Sequence, residues 1–233
     1  MFPNALGLSL GKKYDFSVVP YMNFTIRQLK KYASSTCPFC DRDQRFIVIK
    51  NNNFYLTLDR FPLCQTHLMI SSKEHFGCMG EIYQELDNEL QELIKQTKLL
   101  FPKEFTIYEH GRAGSCTVSQ NARKCHHFHL HFIPIDTDFY NHLDSKYKYK
   151  TLTTYSKVYD NCAKYGNYIL YQSQKDIRFY YIEDRNVEPH LIRTLIANHI
   201  NKVERSDWES YTNADILNAN YSNISNLQNL INS

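Results

Sequence analysis

Glycine is scarce in this sequence, at 7 of 233 residues, and none of the seven falls into a GxGxxG or GxxxxGK[ST] pattern. Both a dinucleotide-binding turn and a Walker loop are thereby excluded, because each uses glycine to bring backbone N–H groups against phosphate. Any phosphate held here must be held largely by side chains. Charge of one sign is also lacking: 27 Lys and Arg against 24 Asp and Glu leave only +3, too mild for a general binder of phosphate backbones. Long apolar runs are missing. The longest, such as Phe46 to Ile49 and Leu68 to Ile70, fall far short of the roughly 18 residues that cross a bilayer, so no membrane partner is expected. In the first sixteen residues, Lys12 and Lys13 follow a weak apolar stretch, which reverses the order of a secretory signal; a cytoplasmic setting is expected. The cysteine count is seven, an odd number that argues against a disulfide framework and leaves the thiols as ligands or core residues.

What is present is an ordinary globular composition, 42% apolar and 22% charged, enough for one large core or a core with an appended module. Phe46 to Lys50 and Phe54 to Leu58 are β-prone runs joined by three asparagines, which tolerate turn geometry, so they read as a hairpin. His67 to Ile70 is a further strand. From Met79 to Leu100 apolar residues keep helical spacing. Phe105 to Tyr108 and His127 to Ile135 alternate as strands around a long polar loop, Gly111 to Lys124. Asp136 to Tyr155 reads as a polar connector, Tyr168 to Tyr171 with Ile177 to Ile182 as a second hairpin, and Glu188 to Val203 as a second amphipathic helix. From Asn213 onward the chain is asparagine-rich, a weak helix or disorder.

The segment His127-Phe-His-Leu-His-Phe-Ile133 places three imidazoles at a period of two. On a strand they leave one face together, while Phe128, Leu130 and Phe132 anchor the other in a core. Clustered imidazoles serve either of two chemistries, since a neutral ring nitrogen is both a nucleophile and a metal ligand, and its protonated form stabilises phosphate charge.

This HφHφHφφ run, with φ apolar, resembles the signature of the histidine triad superfamily of nucleotidyl hydrolases and transferases. The resemblance extends upstream: Asp59-Arg-Phe-Pro62 and Thr66-His67-Leu-Met-Ile-Ser-Ser-Lys73-Glu74-His75 are similar to the D-x-x-P and GH-x-L-V-I-P-K-x-H elements, with Thr66 for glycine and Ser72 for proline. Tyr108-Glu109-His110-Gly111, Arg193 and Ser206-Asp207-Trp208 resemble a Cwf19-like branch with a C-terminal extension.

The resemblance implies an α+β fold, an antiparallel sheet with a long helix packed on it and a C-terminal hairpin and helix. The expected division is an N-terminal extension over 1–36, the catalytic core over 37–136, the extension over 137–212 and the tail over 213–233. It further implies His129 as nucleophile on the α-phosphorus of a nucleotide, giving a covalent nucleotidyl-histidine, His131 as donor to phosphate and leaving group, and His127 as an orienting residue. Asp59, an acceptor-only group, would bind the ribose hydroxyls, with His67 as a second substrate-binding residue, although a turn aspartate before Phe61-Pro62 reads equally well.

The same resemblance implies a structural zinc held by Cys37, Cys40, His75 and His127, against the alternative of two buried thiols. In the polar loop, Ser119, Gln120 and Asn121 are neutral donors for the α-phosphate. Arg112, Arg123 and Lys124 either face a polyphosphate or form a solvated face. An adenine nucleotide is the favoured substrate, a nucleic-acid end an alternative one. Phe128 in place of proline weakens the hexose-1-phosphate transferase reading. A homodimer through strands beside the triad is expected unless the extension covers that edge. The resemblance thus implies a nucleotidyl hydrolase acting on a phosphoanhydride, phosphoramidate or adenylated substrate, with a nucleotidyltransferase or phosphorylase of the same superfamily, a metal-dependent hydrolase and a zinc-containing nucleotide- or RNA-binding module as alternatives.

Overall fold

The computed structural model describes residues 37, 39–40, 43–101, 103–113, 126–174, 176–183, 187–208, 211 and 213–232. The expected 1–36 extension and the polar-loop residues Ser119, Gln120, Asn121, Arg123 and Lys124 lie outside them.

Strands β1 (Ile47–Lys50), β2 (Phe54–Leu58), β3 (Leu68–Ser72), β4 (Thr106–Gly111), β5 (His129–Ile133), β6 (Tyr149–Leu152), β7 (Tyr168–Gln172) and β8 (Ile177–Tyr181) form one antiparallel sheet. Its order is β1-β2-β3-β5-β4-β7-β8-β6. The first hairpin closes as the asparagines predict: Asn51 Oδ1 accepts the N–H groups of Phe54 and Asn53, at 2.7 and 3.2 Å. The second is β7 with β8.

Helix α1 (Asp87–Leu99) buries Leu90, Leu93, Ile94 and Thr97. It starts later than the apolar spacing from Met79 indicates. Met79–Glu81 and Gln84–Leu86 are single 3₁₀ turns, separated by extended backbone at Ile82 and Tyr83. Tertiary bonds anchor the first turn, Met79 N–H donating to Glu109 Oε1 at 2.8 Å and Gly80 N–H to the Tyr168 hydroxyl at 3.2 Å, and the extended residues after it keep it from running into α1. The stretch expected as a connector contains α2 (Tyr140–Asp144) and β6, because Tyr140, Leu143 and Leu152 are buried between its lysines. Four further helices, α3 (Lys157–Tyr165), α4 (Leu191–His199) and the tail pair α5 (Ala214–Ser222) and α6 (Ile224–Asn232), complete the described α-helices.

Register sorts the side chains of the sheet into two faces. Leu56, Ile70 and Leu130 are aligned across β2, β3 and β5, and belong to the large core with α1, α3 and the tail helices, through Leu93, Val158, Leu217 and Leu227. On the reverse face Tyr108, Ile169, Tyr171 and Tyr180 form a second core with Leu143 of α2 and Leu191, Ile192 and Ile196 of α4. Alternation on β5 puts His129 and His131 on that second face, just beyond the edge of its core. β5 lies inside the sheet, and the outer edge of its neighbour β4 pairs with β7. The edge through which a dimer was expected is thus filled by this chain's own hairpin.

Candidate active site and metal cluster

The triad segment is set from behind. Phe128 N–H donates to Phe76 O at 2.6 Å and Ser71 Oγ to Phe128 O at 2.8 Å, while Phe128, Leu130 and Phe132 are fully buried. The three imidazoles therefore come off a rigid element. His129 and His131 have ring centroids 4.9 Å apart, and the Phe39 ring stacks on His129 at 4.6 Å and reaches His127 at 5.5 Å. His127 itself precedes β5 by two residues.

Hydrogen-bond accounting fixes which nitrogen carries each proton. His127 Nε2 lies 3.0 Å from Ser72 O, and a carbonyl only accepts, so the proton is on Nε2 and the Nδ1 lone pair is bare. His129 Nδ1 lies 2.6 Å from His127 O, so its proton is on Nδ1 and the lone pair is on Nε2. Leu63 N–H donates to His67 Nδ1 at 3.1 Å, which puts the His67 proton on Nε2. That Nε2 is 2.9 Å from His131 Nδ1, and two N–H groups cannot face each other at this distance. His131 Nδ1 must accept, leaving Nε2–H as its outward donor. Tyr108 stacks on the His131 ring at 4.3 Å and holds it flat.

Burial keeps these rings neutral. The His129 pKa is lowered by burial, against the pull of its bond to His127 O; that of His131 is well below the usual histidine range, through burial and then the neighbouring imidazoles and Arg193. Burial also pushes His67 down from 6.5 to about 4, against the attraction of Asp59. Above 6.5 His67 is neutral in both folded and unfolded chain and contributes no pH dependence. Between 6.5 and about 4 the unfolded chain takes up a proton that the folded one refuses, so stability falls as pH falls. From this group alone the expected loss is about 2 kcal/mol at about pH 5. Urea midpoints at the two ends of that window measure it, and His67→Asn should show a smaller difference between them.

Asp59 is buried between these groups. Its Oδ1 accepts Phe61 N–H at 2.7 Å, and its Oδ2 lies 3.3 Å from His67 Nε2, 3.8 Å from His131 Nδ1 and 3.9 Å from Arg193 Nη1. Asp59, His67 and His131 are close enough to hold a cation together. The proton on His67 Nε2 points into that trio, however, so the arrangement is a hydrogen-bond relay and not a ligand set. This disfavours a metal-dependent hydrolase.

A different cluster suits a metal. Cys37 Sγ, Cys40 Sγ, His75 Nδ1 and His127 Nδ1 lie within 4.8 Å of one another. Cys37 and Cys40 are each 3.6 Å from His127 Nδ1, Cys40 is 3.0 Å from His75 Nδ1, and the two Nδ1 atoms are 3.3 Å apart. A tetrahedral ion with ordinary bond lengths needs edges of about 3.6 Å between sulfur and nitrogen and about 3.3 Å between nitrogens. Both edges from sulfur to His127 and the edge between the two nitrogens match, while the Cys40–His75 edge is the shorter one, and the Ser72 carbonyl that holds His127 Nε2–H supplies the outer bond that aims the bare Nδ1 inward.

Glu109 and His110 part company. Glu109 is buried on the large-core side, its pKa raised by burial, and accepts the Tyr168 hydroxyl at 2.8 Å as well as Met79 N–H. His110 lies on the triad side, 5.8 Å from the Tyr108 ring, and accepts Ile192 N–H at 3.4 Å. The Arg112 guanidinium pairs with Glu81, with Nη2 to Oε2 at 2.8 Å.

A family model described as "protein similar to CwfJ C-terminal" matches residues 26–148, more than half of the chain. The chain belongs to that family. The match covers the motif-bearing stretch of this CwfJ C-terminal-like chain, from Cys37 to Ile135. No curated protein matches it significantly. Among solved structures, a hypothetical histidine triad nucleotide-binding protein from Sulfolobus tokodaii is 20% identical, over 55% of this chain and 87% of that one, with a TM-score of 0.33. A Hit-like protein from Bartonella henselae, described as involved in cell-cycle regulation, is 16% identical over 51% and 82%, with a TM-score of 0.29. A histidine triad nucleotide-binding protein from Candida albicans is 19% identical over 55% and 98%, with a TM-score of 0.28. These overlaps are partial, and the chemistry of the CwfJ C-terminal-like site rests on its own geometry.

Phe39 and Arg193 are the site residues that motif reading undervalued. Phe39 sits inside Cys37-Pro-Phe-Cys40, where attention falls on the thiols. Arg193 touches Asp59 across 134 residues of chain, a proximity that no local pattern announces.

Proposed function

We propose that this chain is a nucleotidyl hydrolase working through a covalent nucleotidyl intermediate on His129. The observation that carries the reading is the complementary protonation of neighbouring rings: His129 Nε2 bears a lone pair while His131 Nε2 bears a proton. In the first step His129 Nε2 attacks the α-phosphorus and the bond to the leaving group breaks, with His131 Nε2–H donating where negative charge builds. In the second step water attacks the phosphorus and gives up a proton to solvent, the phosphorus–nitrogen bond breaks with its electron pair returning to His129 Nε2, and nucleoside monophosphate departs. Neutrality is essential to the first step, and burial supplies it. Asp59 would meet the ribose hydroxyls, with His67 setting the proton pattern behind the phosphate. An adenine nucleotide is the substrate of choice, as a phosphoanhydride, a phosphoramidate or an adenylated nucleic-acid end.

Zinc is the metal that the two-thiolate, two-imidazole donor set favours, held by Cys37, Cys40, His75 and His127. With four protein ligands it would supply fixation of the loop and of His127, with no open position for chemistry.

The test is brief incubation with a panel of labelled dinucleoside polyphosphates, nucleoside phosphoramidates and 5′-adenylated oligonucleotides, followed by denaturation and peptide mapping. A nucleotidyl adduct on His129 and release of monophosphate support the proposal. Transfer to an added acceptor at the expense of water would make the protein a transferase. Tight, salt-dependent oligonucleotide binding without adduct or turnover would make it a binding module.

A further inference from the structure

The loop from Asp59 to Thr66 has little secondary structure of its own, yet it carries the carboxylate and the backbone N–H on which the relay depends. Three consecutive carbonyls of this loop are each taken by a side chain from far along the chain. Arg193 Nη2 donates to Phe61 O at 2.7 Å, Asn213 Nδ2 to Pro62 O at 2.6 Å and Arg205 Nη1 to Leu63 O at 2.6 Å. Arg193 Nε also donates to Arg205 O at 3.0 Å, which ties two of these donors together. At the end of the loop Thr66 stands at φ 58°, a left-handed conformation that is unfavourable for a β-branched residue. Thr66 N–H is captured there by Asn220 Oδ1 at 2.7 Å.

The consequence reaches the triad through Leu63. Its carbonyl is held by Arg205, and its N–H, on the same residue, is the donor that occupies His67 Nδ1. With that donor in place His67 presents Nε2–H, His131 Nδ1 accepts, and His131 Nε2 carries the outward proton. Were Leu63 to rotate away, His67 could carry its proton on Nδ1, and the pattern along the pair could invert. We infer that Arg193, Arg205, Asn213 and Asn220 form a clamp that positions the Asp59–Thr66 loop and thereby fixes the proton pattern of His67 and His131. They are positioning residues, none of which touches the reacting atoms. The inference deepens the proposed reaction and rests on it for its kinetic effect alone; the proton pattern is a property of the free protein.

The experiment uses the full chain labelled with ¹⁵N-histidine. Long-range ¹H–¹⁵N correlation spectra report which ring nitrogen of His67 and of His131 is protonated, with assignment by single His→Gln variants. The unaltered chain is expected to show Nε2–H for both. Arg205→Met should give mixed tautomers at His67 and His131 and lower kcat roughly 10- to 100-fold with little change in KM, as loss of a positioning contact does. Arg205→Lys, which keeps one donor, should restore both readouts. Asn213→Ala provides the same test at a neighbouring carbonyl should Arg205→Met fail to fold. A unique Nε2–H pattern that persists in both folded variants overturns the inference, as does Nδ1–H at His67 in the unaltered chain. If no panel substrate turns over, the hydrolase proposal fails while the spectra still decide the clamp.

Discussion

Replacing His129 with alanine should abolish the covalent adduct and lower turnover by on the order of 10⁴-fold or more, because removal of a nucleophile leaves only binding and the remaining donors to act. The protein should stay folded. His129 keeps an edge in contact with solvent even though packing around its ring lowers its pKa, the ring bonds to a carbonyl of its own segment, and its stacking on Phe39 at 4.6 Å accounts for about 1 kcal/mol. Two measurements together decide the matter: peptide mapping after brief exposure to labelled nucleotide, and a urea midpoint close to that of the unaltered chain. A folded His129→Ala protein with full turnover would overturn the proposed mechanism. A folded, inactive one that still carries label would move the nucleophile to another residue.

The second large effect concerns the metal cluster. Purified under reducing conditions without chelator, the chain is expected to contain one zinc, and its removal should lower the melting temperature by roughly 10 °C. That figure follows from about 4 kcal/mol for a site saturated a thousandfold above its dissociation constant, and about 2–4 °C per kcal/mol for a chain of this size. Cys40→Ser should release the ion and reproduce the loss, while Cys64→Ser, at a thiol outside the cluster whose pKa is raised to about 12 by burial, should keep the ion. The effect would extend to the nucleophile, since Phe39 lies between two ligands in sequence and stacks on both His127 and His129. Absence of metal from the purified chain, with no response to chelator, would return Cys37 and Cys40 to the role of thiols without a ligand function.

The local half of this molecule is legible in its sequence. Period-two alternation around His127 to Ile133 announces the strand, its buried back and its imidazole face, and the asparagine turn announces the first hairpin. The resemblance to the histidine triad superfamily likewise implies Cys37, Cys40, His75 and His127, whose ligand atoms the fold brings within 4.8 Å of one another. What stays hidden depends on long-range partners. Apolar spacing from Met79 reads as helix because spacing cannot register the extended backbone at Ile82 and Tyr83 that separates the first turn from α1. Lysines at 146, 148 and 150 conceal β6, whose pairing with β8 sets it at a sheet edge where exposed charge is tolerated. The protonation of His131 is the furthest from view, being decided by a backbone N–H on another loop.

The pairing of β4 with β7 has a consequence for how the site survives dilution. Because the strand beside the triad finds its neighbour within the same chain, completing the sheet is a unimolecular event, and covalent linkage supplies the partner at an effective concentration that no solution of separate subunits reaches. Specific activity should therefore stay constant as the protein is diluted towards nanomolar levels, where an enzyme completed by a second copy would fade.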